Sequence, residues 1–138
     1  MSAHPEELSG GCNCRAVRFV ATGPFRPPMA CHCRSCRRQS GHYLAATQTD
    51  RDKVAVTGEQ NITWYEATPE ARRGFCRTCG VHLFWERHGG DRRSIFMGCI
   101  DEPTGLELQR HIFVAEKGDY YAIADGLPQE AERGSAKG

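Results

Sequence analysis

Short runs of apolar residues, each closed by Gly, Pro or Asp, recur along the whole chain. That punctuation is the pattern of an all-β protein made of short strands. Residues 16–21 form a predicted strand that breaks at Gly23-Pro24. Pro27 and Pro28 bar a helix and lead into a strand over 29–31. Strands are predicted over 42–48 and 53–57, and residues 58–61 read as the turn into another over 62–67. Residues 72–76 run into the turn Cys76-Arg77-Thr78-Cys79-Gly80 and 82–86 run out of it, with Gly80 suited to a positive backbone dihedral. The last predicted strands cover 94–100 and 111–115. No segment sustains a 3.6-residue apolar period, so any helix is expected to be short. Trp64, Tyr65, Phe84, Trp85 and Phe113 fall in these strands and are predicted to be core, while His42 and His82 read as packing or surface residues.

A chain of 138 residues has the length of one domain. Residues 10–128 are expected to form it, with residues 1–9 as a flexible N-terminus and 129–138 as a disordered tail rich in charged and small residues. Only 9% of the residues are aromatic, so the core is lean and needs support. Eight cysteines are the obvious source, and seven of them fall into three clusters: Cys12–Cys14, Cys31–Cys33–Cys36 and Cys76–Cys79. No apolar run approaches the ~18–20 residues of a membrane span. Pro5, Glu6 and Glu7 make the N-terminus unlike a signal peptide. The expected compartment is therefore the reducing cytoplasm, where thiols bind metal in preference to pairing. Cysteines one or two residues apart are in any case poorly placed to pair with each other.

Two clusters add up to four thiolates, enough to close a tetrahedral zinc site: Cys12, Cys14, Cys76 and Cys79. The third supplies three ligands, Cys31, Cys33 and Cys36, and leaves one position open, the mark of a catalytic zinc. In a strand neighbouring side chains face opposite ways, so Cys31 and Cys33 share a face while His32 turns from it. Cys36 would return to the metal after a tight turn. His32 and Cys99 are both candidates for the fourth ligand, although Cys99, between Gly98 and Ile100, has the surroundings of a buried packing residue. An open three-thiolate zinc suits thiol chemistry, because zinc deprotonates a thiol that coordinates it. Arg34, Arg37 and Arg38 lie beside the cluster and fit a thiol that carries carboxylates, such as glutathione.

The three cysteine clusters sit within longer stretches: Gly10-Gly11-Cys12-Asn13-Cys14-Arg15-Ala16-Val17-Arg18-Phe19, Cys31-His32-Cys33-Arg34-Ser35-Cys36-Arg37-Arg38-Gln39-Ser40-Gly41 and Arg73-Gly74-Phe75-Cys76-Arg77-Thr78-Cys79-Gly80. In this order they resemble the glutathione-dependent formaldehyde-activating enzyme family, which also includes centromere protein V. His111-Ile112-Phe113-Val114 and Ala124-Asp125-Gly126-Leu127-Pro128-Gln129 extend the resemblance over residues 10 to 129. It implies a mainly β, Mss4-like fold of folded antiparallel sheets with zinc-ribbon-like knuckles. It also implies two Zn²⁺ ions, a structural one on Cys12, Cys14, Cys76 and Cys79 and a labile catalytic one on Cys31, Cys33 and Cys36. The activity implied is that of a carbon–sulfur lyase, which joins glutathione and formaldehyde into S-hydroxymethylglutathione. Where many relatives read Lys-Ala-Pro-Trp, this chain reads Lys117-Gly118-Asp119-Tyr120.

The partner expected on these grounds is glutathione or another small thiol adduct. A non-enzymatic zinc module for protein or nucleic acid is the alternative, and a thiol-based metal buffer is a third reading. Charge weighs against nucleic acid: seven thiolates subtract seven charges and two Zn²⁺ restore four, taking the formal +1 to −2. No membrane partner is expected, and the residues set no oligomeric state, a homodimer being one option.

Overall fold

The computed structural model of the chain describes residues 5–133. It is mainly β, with ten strands in two sheets and one short helix. The smaller sheet is antiparallel, in the order β1-β2-β5, from Glu7–Gly11 (β1), Arg18–Thr22 (β2) and Val54–Thr57 (β5). The larger has seven strands in the order β10-β3-β4-β9-β8-β7-β6. Its members are Arg26–Cys31 (β3), Leu44–Asp50 (β4), Ile62–Thr68 (β6), Ala71–Cys76 (β7), His82–Arg87 (β8), Arg92–Phe96 (β9) and Arg110–Ile112 (β10). All its pairings are antiparallel except β10 with β3, which is parallel.

Period-two burial explains how the sheets meet. Leu8, Phe19 and Ala21 of the small sheet are buried together with Leu83, Phe84 and Ile95 of the large one. Phe19 and Phe84 meet edge to face, ring centroids 5.4 Å apart, the geometry that aromatic quadrupoles favour. Gly10 allows the closest approach between the layers: a Cβ there would lie 2.3 Å from the carbonyl oxygen of Cys99. Cys12 and Cys76 are buried at the edge of this same core, so the first cysteine cluster is built into its packing.

Several expectations are corrected. Glu7–Gly11 lies partly inside the stretch expected to be flexible, yet it pairs in full with β2 and buries Leu8. The tail expected to be disordered from residue 129 instead runs alongside β10. Glu130 N–H donates to the His111 carbonyl, and the N–H groups of Phe113, Val114 and Ala115 donate to the carbonyls of Glu132, Glu130 and Ala131. Backbone pairing needs no apolar pattern, which is why composition misread this segment. The remaining positions at both ends lie outside the described residues. Among the predicted core aromatics, Phe84 is fully buried, but Tyr65 is 50% exposed because β6 is an edge strand of the sheet. The tight turn expected before Cys36 is a helix, Arg34–Ser40 (α1). Cys33 caps it by accepting the Cys36 N–H at its sulfur, as a serine would, and Gly41 ends it in the left-handed region at φ 96°. Among the described residues no helix is long and apolar enough to cross a membrane.

Candidate metal centres

Two hairpin turns from different sheets bring the first centre together. Cys12 and Cys14 come from the β1–β2 turn, Cys76 and Cys79 from the β7–β8 turn, where Gly80 takes φ 81°. The four sulfurs all lie within 4.8 Å of one another. Cys12 to Cys14 and Cys14 to Cys76 are each 3.7 Å, too far for a disulfide. Four sulfurs each about 2.3 Å from a tetrahedral ion would sit about 3.8 Å apart, so the donor set fits zinc. Among the described residues, the groups that donate to these sulfurs are neutral. The Val17 N–H reaches Cys12 at 3.3 Å, while the N–H groups of Thr78 and Cys79 reach Cys76 at 3.4 and 3.5 Å. Asn61 Nδ2 adds a fourth donor, 3.3 Å from Cys76. Burial pushes the Cys76 thiol up, but the Cys79 and Thr78 N–H groups and the neighbouring thiols outweigh it and bring it down to about 6. Cys14 stays exposed to solvent.

The second centre is assembled locally. Cys31 ends β3, Cys33 caps α1 and Cys36 lies in the helix, with the three sulfurs again within 4.8 Å of one another. Among the described residues no fourth Cys, His, Asp or Glu joins the group. Hydrogen bonds from Cys31 and Cys36 bring the Cys33 thiol well below its ordinary value. His32 is not in the group. Cys99 is not either: it is buried, with its thiol 3.2 Å from the Phe96 carbonyl. Arg34, Arg37 and Arg38 fall at helical spacing on one face of α1 and Cys36 on the other, with Arg34 and Arg38 exposed and Cys36 buried. Arg37 Nε donates to the Glu116 carbonyl, and the Arg34 N–H donates to the Glu116 carboxylate. The cation turned toward the sulfurs is a different one. Arg73, on β7 and 4% exposed, points Nη2 at Cys36 Sγ from 3.4 Å and at Ser35 Oγ from 3.2 Å.

The family model for the glutathione-dependent formaldehyde-activating enzyme matches residues 7–116. The chain belongs to this family. It is 31% identical over 121 residues to an uncharacterized lyase of Schizosaccharomyces pombe, a match covering 86% of this chain and 87% of that one. A crystal structure of a Rhodobacter sphaeroides protein superposes with a TM-score of 0.56 at 27% identity, covering 68% of this chain and 88% of the other.

Within the formaldehyde-activating enzyme framework, two features escaped the sequence reading. The first is Arg73. Adjacent arginines in a strand must face opposite sides. Arg72 stacks on Trp64 at 3.9 Å, so Arg73 is the one turned inward. That parity was the available signal, and it named no partner. The second is a string of hydrogen bonds on the far side of His32. Asp125 lies 2.8 Å from His111 Nε2, which places a proton on that nitrogen, and in the neutral ring His111 Nδ1 is then an acceptor. His32 Nε2 then donates to it at 2.9 Å, and His32 Nδ1 accepts the Tyr121 hydroxyl at 2.6 Å. Burial, aided by His111, His42 and Lys117, brings His32 down to about 4, so it is neutral near pH 7 as this tautomer chain requires. The string ties the Cys31–Cys33 segment to β10 and the chain after it, through His111, Tyr121 and Asp125.

Proposed function

We propose that this protein is a zinc-dependent carbon–sulfur lyase acting on the adduct of a small thiol, glutathione or one like it, with a small aldehyde such as formaldehyde. The observation that carries the reading is the contrast in ligand number. Cys12, Cys14, Cys76 and Cys79 form a complete set, while Cys31, Cys33 and Cys36 form a set of three with no fourth protein ligand among the described residues. The first set would hold a structural zinc and the second an exchangeable one. At the second, zinc would supply a Lewis acid that keeps a thiol ionised at neutral pH.

The chemistry is a redox-neutral addition. The thiolate sulfur attacks the carbonyl carbon and a carbon–sulfur bond forms. The π pair moves to oxygen, which takes up the proton released by the thiol. Cleavage of the adduct runs the same steps backwards. Within the chain, Cys31, Cys33 and Cys36 set where the sulfur is held. The His32–His111–Asp125 string fixes the backbone between two of them. The exposed arginine face of α1 offers Arg34, Arg37 and Arg38 to the carboxylates of a peptide thiol.

The test is the rate of exchange between glutathione and its S-hydroxymethyl adduct, read by magnetisation-transfer NMR. The zinc-loaded chain is expected to raise that rate, and Cys33→Ser is expected to lose the effect while remaining folded. An intact, two-zinc chain that leaves the exchange rate at its background value would reject the reading in favour of a binding module.

A further inference from the structure

Arg73 and Arg93 are both buried arginines on neighbouring parts of the large sheet, yet the fold treats them differently. Arg93 has a carboxylate, Glu86, at 2.7 Å. Arg73 has none within ion-pair distance among the described residues, and its Nε, shielded from solvent, finds no hydrogen-bond acceptor there. A buried cation without a counter-charge is strongly disfavoured. The group that Arg73 faces is Cys36, through Nη2. The counter-charge of Arg73 is therefore the sulfur cluster itself.

We infer that Arg73 makes the three-cysteine centre select an anionic sulfur as its fourth ligand, which assigns it as the specificity-determining residue of the reaction. The inference rests on the proposed metal-bound reading of that centre and deepens it. Three thiolates and one divalent ion leave a net charge of −1, and Arg73 brings the half-buried group to neutrality. A thiolate arriving as fourth ligand then takes the group to −1, whereas without Arg73 it would have to reach −2 with Cys36 buried. A neutral ligand such as imidazole changes the charge in neither case. Arg73 thus discriminates by charge, and it does so from inside, where salt screens it far less than a surface charge. Arg34 and Arg38, exposed on the other face of α1, cannot serve this purpose.

The full chain loaded with Co²⁺ tests this, because thiolate-to-cobalt absorption bands report the ligand set without any assay of activity. 2-Mercaptoethanol, a thiol with no carboxylate, is titrated against imidazole at the same pH. Arg73→Met is expected to lower the affinity for mercaptoethanol by on the order of ten- to a hundredfold, the effect of one unit charge roughly 6 to 12 Å away, across the ion, at an effective dielectric of about 20. Imidazole affinity should stay within about threefold, and Arg73→Lys should retain most of the preference for thiol, since the charge remains. A folded Arg73→Met variant that takes mercaptoethanol as tightly as the unaltered chain overturns the inference. The unaltered chain gives a second test that requires no variant to fold. Its preference for thiol over imidazole should persist up to about 1 M salt, where screening acts over about 3 Å in solvent, and collapse of the preference would overturn the inference equally. An unaltered chain that binds no cobalt at Cys31, Cys33 and Cys36 defeats the proposed function and this inference together. Equal thiol affinity in the folded variant defeats the inference alone.

Discussion

The two cysteine centres offer the same ligand type but differ in ligand number and in what surrounds them. The four-cysteine centre joins turns of two different sheets, and its charge is shared among backbone N–H groups, Asn61 and the water around the exposed Cys14. The three-cysteine centre lies within six consecutive residues and faces a buried guanidinium. The first links distant parts of the chain, so losing it would undo tertiary structure. The second spans a strand end and one helical turn that the sheet already holds in place. A closed site crosslinks the chain, while an open site beside a fixed charge is suited to exchange.

The largest expected effect breaks this comparison at its base. Cys12→Ser or Cys79→Ser should unfold or aggregate the protein, because a structural zinc site can contribute on the order of 10 kcal/mol to folding. Cys33→Ser should melt near the parent temperature and carry one zinc in place of two. Chelator should act in the same order, emptying the three-cysteine centre first. Melting curves with metal analysis decide it, and a Cys33→Ser protein as unstable as Cys12→Ser would remove the division of roles.

A smaller effect separates the outer cations from the inner one. Replacing Arg34, Arg37 and Arg38 together by Gln should weaken glutathione by up to roughly tenfold at low salt, with little change for mercaptoethanol, which has no carboxylates. The loss should shrink as salt rises, since exposed charges are screened within about 8 Å at physiological ionic strength. Isothermal titration at two salt concentrations reads this. A loss equal for both thiols would show that the outer face does not meet the carboxylates.

How much of this was legible in the sequence depends on how far apart the partners are. The strands announced themselves through alternation, and the cysteine clusters through spacing, because both are local patterns. The strand Glu7–Gly11 was hidden because Ser9-Gly10-Gly11 reads as a turn, although Gly10 is there to let Cys99 approach. The helix Arg34–Ser40 was hidden because Cys36 is its only buried residue, so no apolar period exists to be read. Arg73 and Cys36 are 37 positions apart and Asp125 and His111 are 14 apart, so neither contact has a sequence pattern. Strand parity required one of Arg72 and Arg73 to turn inward, but only the packing of β7 against α1 shows what it meets.

Asn61→Ala removes one neutral donor from the closed site. The expected cost is about 1 kcal/mol, set by the part-buried bond to Cys76 because the bonds with Thr78 and Arg77 are exposed, with zinc retained and the fourth-ligand preference of the other centre unchanged. Chemical denaturation of the zinc-loaded protein measures it. A loss of the structural metal in this variant would mean that the neutral shell matters as much as Arg73 is argued to matter at its own site.

The smallest effect concerns acid, and it sharpens the contrast from the open side. His82 lies close enough to Arg73 for its charge to be felt. Burial first, and the Arg73 charge after it, hold the imidazole below its ordinary value against a bond to the Gln39 carbonyl, and its Nδ1 has no partner among the described residues. As pH falls through about 6.5 the unfolded chain takes up this proton before the folded one does. The unfolded state then binds more protons, so stability falls with falling pH over that window and is level above about pH 7.5. Thiolate protonation and metal loss add their own acid sensitivity, but they are common to a His82→Phe variant. The difference between the two proteins therefore isolates His82. Urea midpoints from about pH 7.5 to about 5 should show a shallower decline in His82→Phe. Parallel curves would place His82 in an environment that accepts its proton freely, which is incompatible with a fixed cation buried beside it.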